Sequence, residues 1–170
     1  MSAVDELKTV VDAARKTEVD GRKFYGDTAA KSRNPLAKRM FQSLADAEGQ
    51  HLEFIDQLVR GQFKAPAYDR DFARRLATVF SAMPESTRSQ AAGTPDDIAA
   101  LELGIELEDR SMAFYRKWAE TAKSEPVRKF CARLRVEEEE HWRILQSTKD
   151  YLGDTGNWFM AQERWSFDGG

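Results

Sequence analysis

Cysteine occurs once in these 170 residues, as Cys131, and histidine only twice, as His51 and His141. One thiol excludes an intramolecular disulfide, a Cys-x-x-Cys zinc site and a four-cysteine iron site, and it suits a reducing compartment. Long apolar runs are also missing: no window approaches the 18 or so residues that a membrane helix needs. Neither sign of charge dominates, with 26 Lys+Arg against 29 Asp+Glu and a net charge of −3. Nothing basic clusters, which argues against nucleic acid or an anionic membrane as a partner. The opening MSAVDELKTVVDAARK has acids within its first six residues and no apolar core, so it does not read as a secretory signal. The expected compartment is the cytoplasm.

The hydrophobic 41% of the chain is enough for one continuous core, and its spacing is helical. Leu7, Val10, Val11, Ala14, Phe24 and Tyr25 recur every three or four residues between Val4 and about Ala30. The segment RNPLAKRMFQSLADAEGQHLEFIDQLVRG repeats the pattern, with Asn34 as N-cap, Pro35 at the first helical position and Gly61 just past the end. A third helix opens at Thr94-Pro95 with acids in its first turn. A fourth starts near Pro126 and runs to Gly153. Short connections join the first and second helices and the third and fourth. Residues 62–93 form a long crossover with its own helical pattern around Phe72, Leu76 and Phe80. The expectation is an all-α four-helix bundle over residues 1–153, built from two helical hairpins. A short aromatic tail, 154–170, carries Trp158, Phe159, Trp165 and Phe167 and is expected to dock on the bundle or on a partner subunit.

The two hairpins repeat one another at a constant offset of 90 residues: Glu18 and Glu108, Phe24 and Phe114, Tyr25 and Tyr115, Glu48 and Glu138, His51 and His141. The repeat bears on the run RVEEEEHW. Glu137 and Glu138, four and three residues before His141, both share its helix face. Their counterparts in the first hairpin are Ala47 and Glu48, so Glu138 is the candidate and near-normal metal binding is expected without Glu137. Glu139 and Glu140 are placed to pair with Arg143 on a solvated face. Glu-x-x-His delivers an oxygen and a nitrogen one turn apart. Two such helices, plus one glutamate from each of the other two, give four carboxylates and two imidazoles at the bundle centre, the arrangement of a di-iron or di-manganese carboxylate site. Four carboxylates and two divalent cations sum to zero charge, whereas the carboxylates alone would repel strongly. Mostly oxygen donors suit iron or manganese better than zinc. Cys131, between Phe130 and Leu134, reads as a small apolar packing residue, and the scattered methionines read as core filling.

With these positions the sequence resembles the rubrerythrin-like branch of the ferritin-like superfamily over roughly residues 5–152. The resemblance implies Glu18, Glu48, His51, Glu108, Glu138 and His141 as ligands of two iron ions, with Glu48 and Glu138 bridging, and manganese or a mixed pair as alternatives. Tyr25 and Tyr115, seven residues beyond Glu18 and Glu108, match the tyrosines that stand behind the ligands in that family; a core aromatic ridge is the other reading. Two features depart from the pattern. Rubrerythrins of full length add a four-cysteine rubredoxin domain, which this chain does not show, so electrons are expected from a separate donor protein, rubredoxin-like or a flavoprotein. The family's extra glutamate, three residues after the third-helix ligand, is replaced by Ser111, with Gly21 at the equivalent place in the first helix. Switching of iron between two ligand sets loses that ligand, and the small residues leave an open edge for an oxidant.

The implied function is a di-iron oxidoreductase of the oxidative-stress kind that reduces hydrogen peroxide or dioxygen as a homodimer. The alternatives are a ferroxidase that handles iron and a metal-stabilised bundle whose aromatic tail binds a partner without catalysis.

Overall fold

A computed structural model describes residues 3–64 and 94–154. Residues 65–93 of the 62–93 crossover and 155–170 of the 154–170 tail lie outside the described residues. Four helices account for the rest: α1 (Ala3–Lys31), α2 (Pro35–Val59), α3 (Pro95–Thr121) and α4 (Glu125–Gly153). They form an all-α four-helix bundle. α1 packs chiefly on α2 and α3 on α4, and the two hairpins meet along α2 with α4 and α1 with α3. Among the described residues no helix is long and apolar enough to cross a membrane.

The helix ends sit where local chemistry satisfies the backbone. Asn34 Oδ1 accepts from the amides of Leu36 (2.9 Å) and Ala37 (3.1 Å) and starts α2. At the other end Gly61 takes a positive φ of 67°. Its amide bonds Leu58 O at 3.0 Å and the Gln62 amide bonds Gln57 O at 2.8 Å, a paired closure in which the left-handed residue is best a glycine. Thr94 and Asp97 bond each other's amides reciprocally at the start of α3.

Two further contacts lock the hairpins together. Ser32, between α1 and α2, donates to Asp97 Oδ1 at 2.8 Å. Glu6, buried on the first turns of α1, accepts from the amides of Lys123 (2.8 Å) and Ser124 (3.0 Å) between α3 and α4. These amides hold the Glu6 carboxyl below its ordinary value.

Two apolar clusters fill the bundle. One gathers Tyr25, Leu36, Met40, Phe41, Leu44, Leu101 and Leu145; the other gathers Val10, Ile55, Leu58, Tyr115, Phe130, Cys131 and Leu134. Each buried Leu or Phe contributes about 1.5–3 kcal/mol relative to exposure. Cys131 belongs to this packing, and burial pushes its thiol up to about 12, so it is an inert apolar residue at neutral pH. Charged side chains form a layer between the two clusters, and that layer is the candidate site.

Candidate metal centre

Glu18, Glu48, His51, Glu108, Glu138 and His141 come from all four helices, and every one of them is buried. The helical period aims each Glu-x-x-His pair inward. On α2 the Nδ1 of His51 stands 3.1 Å from Glu48 Oε2; on α4 the Nδ1 of His141 stands 3.2 Å from Glu138 Oε2. Across the bundle His51 Nδ1 reaches Glu18 Oε2 at 2.9 Å and Glu138 Oε1 at 3.4 Å. His141 Nδ1 reaches Glu48 Oε1 at 3.4 Å and Glu108 Oε1 at 3.8 Å. The imidazoles lie nearly parallel, their centroids 5.3 Å apart.

The donor atoms fall into two overlapping groups, each with all its members within 4.8 Å of one another: Glu18, Glu48, Glu138 and His51, and Glu48, Glu108, Glu138 and His141. Each group is three carboxylates and one imidazole, and Glu48 and Glu138 belong to both. Both oxygens of Glu138 are fully buried and face the Nδ1 atoms of His51 and His141, with no well-aligned hydrogen bond to either. A buried carboxylate left without a donor costs several kcal/mol. A cation between the two groups would satisfy it, so the residues fit a pair of metal ions with hard oxygen donors.

Without metal, protons carry the balancing charge. Burial, then the charges of Glu138 and Glu48, raise the carboxyls of Glu18 and Glu108 well above their ordinary range. Burial also opposes charge on the histidines, but the surrounding carboxylates win: His51 is raised well above its usual value and His141 to about 9. Burial raises Glu48 too, yet hydrogen bonds from Glu18, His141 and His51 hold it well below the usual range. These shifts all move charge the same way, off Glu18 and Glu108 and onto His51 and His141, and so offset the remaining carboxylates as two divalent cations would.

The tyrosines do both things that the sequence left open. Tyr25 and Tyr115 are core residues of opposite apolar clusters, and their hydroxyls cross between hairpins: Tyr25 donates to Glu108 Oε1 and Tyr115 to Glu18 Oε1. Burial, then Glu108 for Tyr25 and Glu18 for Tyr115, keeps both phenols protonated.

Glu139 and Glu140 each bond Arg143 at 2.6 Å on the solvent side. Glu137 behaves differently. It belongs to neither donor group, but its Oε2 is 2.8 Å from Nε2 of His51, and its Oε1 pairs with Arg133 one turn earlier on α4. The sequence puts Glu137 on the face of His141; the fold hands it to the histidine of the neighbouring helix. Only the lateral contact of α4 with α2 shows this. A cavity of about 190 Å³ reaches the cluster beside Gly21 and Ser111, with Tyr25, Glu48, Glu108 and Phe114 among its walls. A methyl at Gly21 would stand 3.5 Å from Glu48 Cδ, so the glycine keeps this edge open.

A family model described as Rubrerythrin matches residues 9–149. No curated protein and no solved structure matches the chain.

Proposed function

Because the chain belongs to the rubrerythrin family, we propose that it is a di-iron oxidoreductase that reduces hydrogen peroxide at its buried carboxylate–histidine cluster. One observation carries this reading: two buried four-residue donor groups, each three carboxylates and one imidazole, share Glu48 and Glu138. Glu18 and His51 would hold one ion, Glu108 and His141 the other, and Glu48 and Glu138 both.

Bound iron would supply the redox chemistry, the two electrons that together with two protons take one peroxide to two waters. The chain supplies position and protons. Tyr25 and Tyr115 fix the rotamers of Glu108 and Glu18 from the opposite hairpin, so that a terminal carboxylate does not swing away when charge changes. Tyr25 also lines the cavity beside Gly21 and Ser111. Its hydroxyl proton, retained at neutral pH, is available to an oxidant entering there. These 170 residues hold one cysteine and so build no rubredoxin-type iron site, and the returning electrons would come from another iron or flavin centre.

Anaerobic protein loaded with Fe(II) and mixed with peroxide or with dioxygen tests this. The expected result is oxidation by peroxide at least tenfold faster than by dioxygen, with no growth of ferric mineral. Faster reaction with dioxygen and continued iron uptake would make the protein a ferroxidase. Failure to retain iron would remove the site altogether.

A further inference from the structure

We propose that Glu137, clamped by Arg133, is a positioning residue for His51 that makes the Glu18–His51 metal position the tighter of the two. This rests on the di-metal reading of the cluster. His51 is held from both sides: Nδ1 faces Glu18 at 2.9 Å and Glu48 at 3.1 Å, and Nε2 faces Glu137 at 2.8 Å. A metal-ligating imidazole is neutral and has one N–H, and a carboxylate only accepts, so Glu137 places that proton on Nε2 and leaves the Nδ1 lone pair turned to the cluster. Glu137 is itself fixed. Its second oxygen pairs with Arg133, and the two side chains are only 19% and 11% exposed. Ring orientation is therefore set before a metal arrives, and Nδ1 is the nitrogen that gives up its proton to the metal while Nε2 keeps its own against Glu137.

The second position is built otherwise. At the 90-residue offset, Glu137 corresponds to Ala47 and Arg133 to Ser43, so α2 cannot return a carboxylate–guanidinium pair to His141. The cavity adds an independent difference. Of the two unshared carboxylates Glu108 lines it and Glu18 does not, while neither histidine reaches it. One position is thus buttressed from behind, and the other faces the route from solvent. The geometry points to a retained ion beside His51 and an accessible, more exchangeable one beside His141.

Metal-free protein titrated anaerobically with Mn(II), by calorimetry and by electron paramagnetic resonance, separates the two positions. Wild type should bind two ions with unequal dissociation constants. Glu137→Ala should weaken the tighter site by about 10–100-fold, the usual effect of removing a hydrogen-bonding group behind a metal ligand, and leave the weaker one within about threefold. Glu137→Gln, which keeps an acceptor oxygen at the same reach, should lose less and confirms that the variants fold. Glu139→Gln, altered only at the solvent face, should match wild type. Unchanged constants in Glu137→Ala, or an equal loss at both sites, would overturn the positioning role while leaving the di-metal site standing. A wild-type protein that binds no Mn(II), Fe(II) or Co(II) would instead overturn the reading beneath it.

Discussion

The first hairpin contributes Glu18, Tyr25, Glu48 and His51 to the buried layer, and the second contributes Glu108, Tyr115, Glu138 and His141, residue for residue at the same offset. Behind these pairs the match is only partial. Ala47 stands where the second hairpin has Glu137, Gly21 where it has Ser111, Ala14 where it has Gly104, and Gly26 where it has Arg116. Positions that meet at the bundle centre are constrained by a shared charge balance. Positions one layer out pack against different neighbours, and there the hairpins have diverged. The molecule is thus symmetric in its chemistry and asymmetric in what holds that chemistry in place.

The largest effects should come from breaking the shared part. Glu48 and Glu138 each serve both donor groups, whereas Glu18 and Glu108 serve one apiece. A neutral amide is a poor bridge between two cations. Glu48→Gln and Glu138→Gln should therefore each lower bound metal from two ions per chain toward none, while Glu18→Gln and Glu108→Gln should each retain about one. Metal analysis of the four purified variants checks this. Equal losses in all four would mean that the two groups do not act as separate positions.

An intermediate effect should follow pH. Without metal the fold gains from holding protons on His51 and His141, a stabilisation fully present below the ordinary histidine value of 6.5 and lost as pH rises through the folded-state value, about 9 for His141. The raised carboxyls of Glu18 and Glu108 act in the same direction, because their protonated forms are the ones the metal-free fold favours. With metal bound these protons are gone and the dependence should vanish. At a metal concentration near a hundred times the dissociation constant, binding adds about 2.7 kcal/mol to stability. Melting of chelated and Mn(II)-loaded protein should show a gap that widens from pH 6.5 to pH 9. A gap that narrows over this range would mean that protons and metal do not compete for the same atoms.

The shared part was also the part legible in the sequence. Asn34-Pro35, Thr94-Pro95 and Gly61 mark helix ends by local chemistry, which a sequence carries directly. Glu-x-x-His twice, with Glu18 and Glu108 at the matching offset, carries the inner layer because periodicity alone sets which residues share a helix face. Glu137 shows where that reasoning stops. Its spacing from His141 is correct for a contact on α4, yet its partner is His51 on α2, and lateral reach between helices depends on how the hairpins are set against each other. The roles of Tyr25 and Tyr115 were open for the same reason: each hydroxyl lands on a glutamate of the opposite hairpin. The expected crossover helix around Phe72, Leu76 and Phe80 and the docking of Trp158, Phe159, Trp165 and Phe167 fall outside the described residues.

The smallest expected effect sharpens the comparison in the outer layer, at two helical glycines. An alanine in a helix interior is favoured over glycine by about 1 kcal/mol. At Gly26 on α1 a new Cβ would meet nothing within 4 Å, so Gly26→Ala should realise that gain. Gly104 on α3 is different, because its Cβ would stand 3.1 and 3.2 Å from the two methyls of Leu145 and 3.4 Å from the ring of Tyr25. Leu145 is fully buried, and forcing such a side chain to shift costs about 1–3 kcal/mol. Gly104→Ala should therefore be neutral to destabilising by about 1–2 kcal/mol. Its counterpart in the first hairpin, Ala14, is buried and carries the methyl that Gly104 lacks. On a chain of this length 1 kcal/mol corresponds to a change of about 2–4 °C in Tm, so the two variants should separate by several degrees in one thermal scan. Equal stabilisation by both would show that Leu145 yields freely and that the close approach of α3 to α4 is not what keeps Gly104 a glycine.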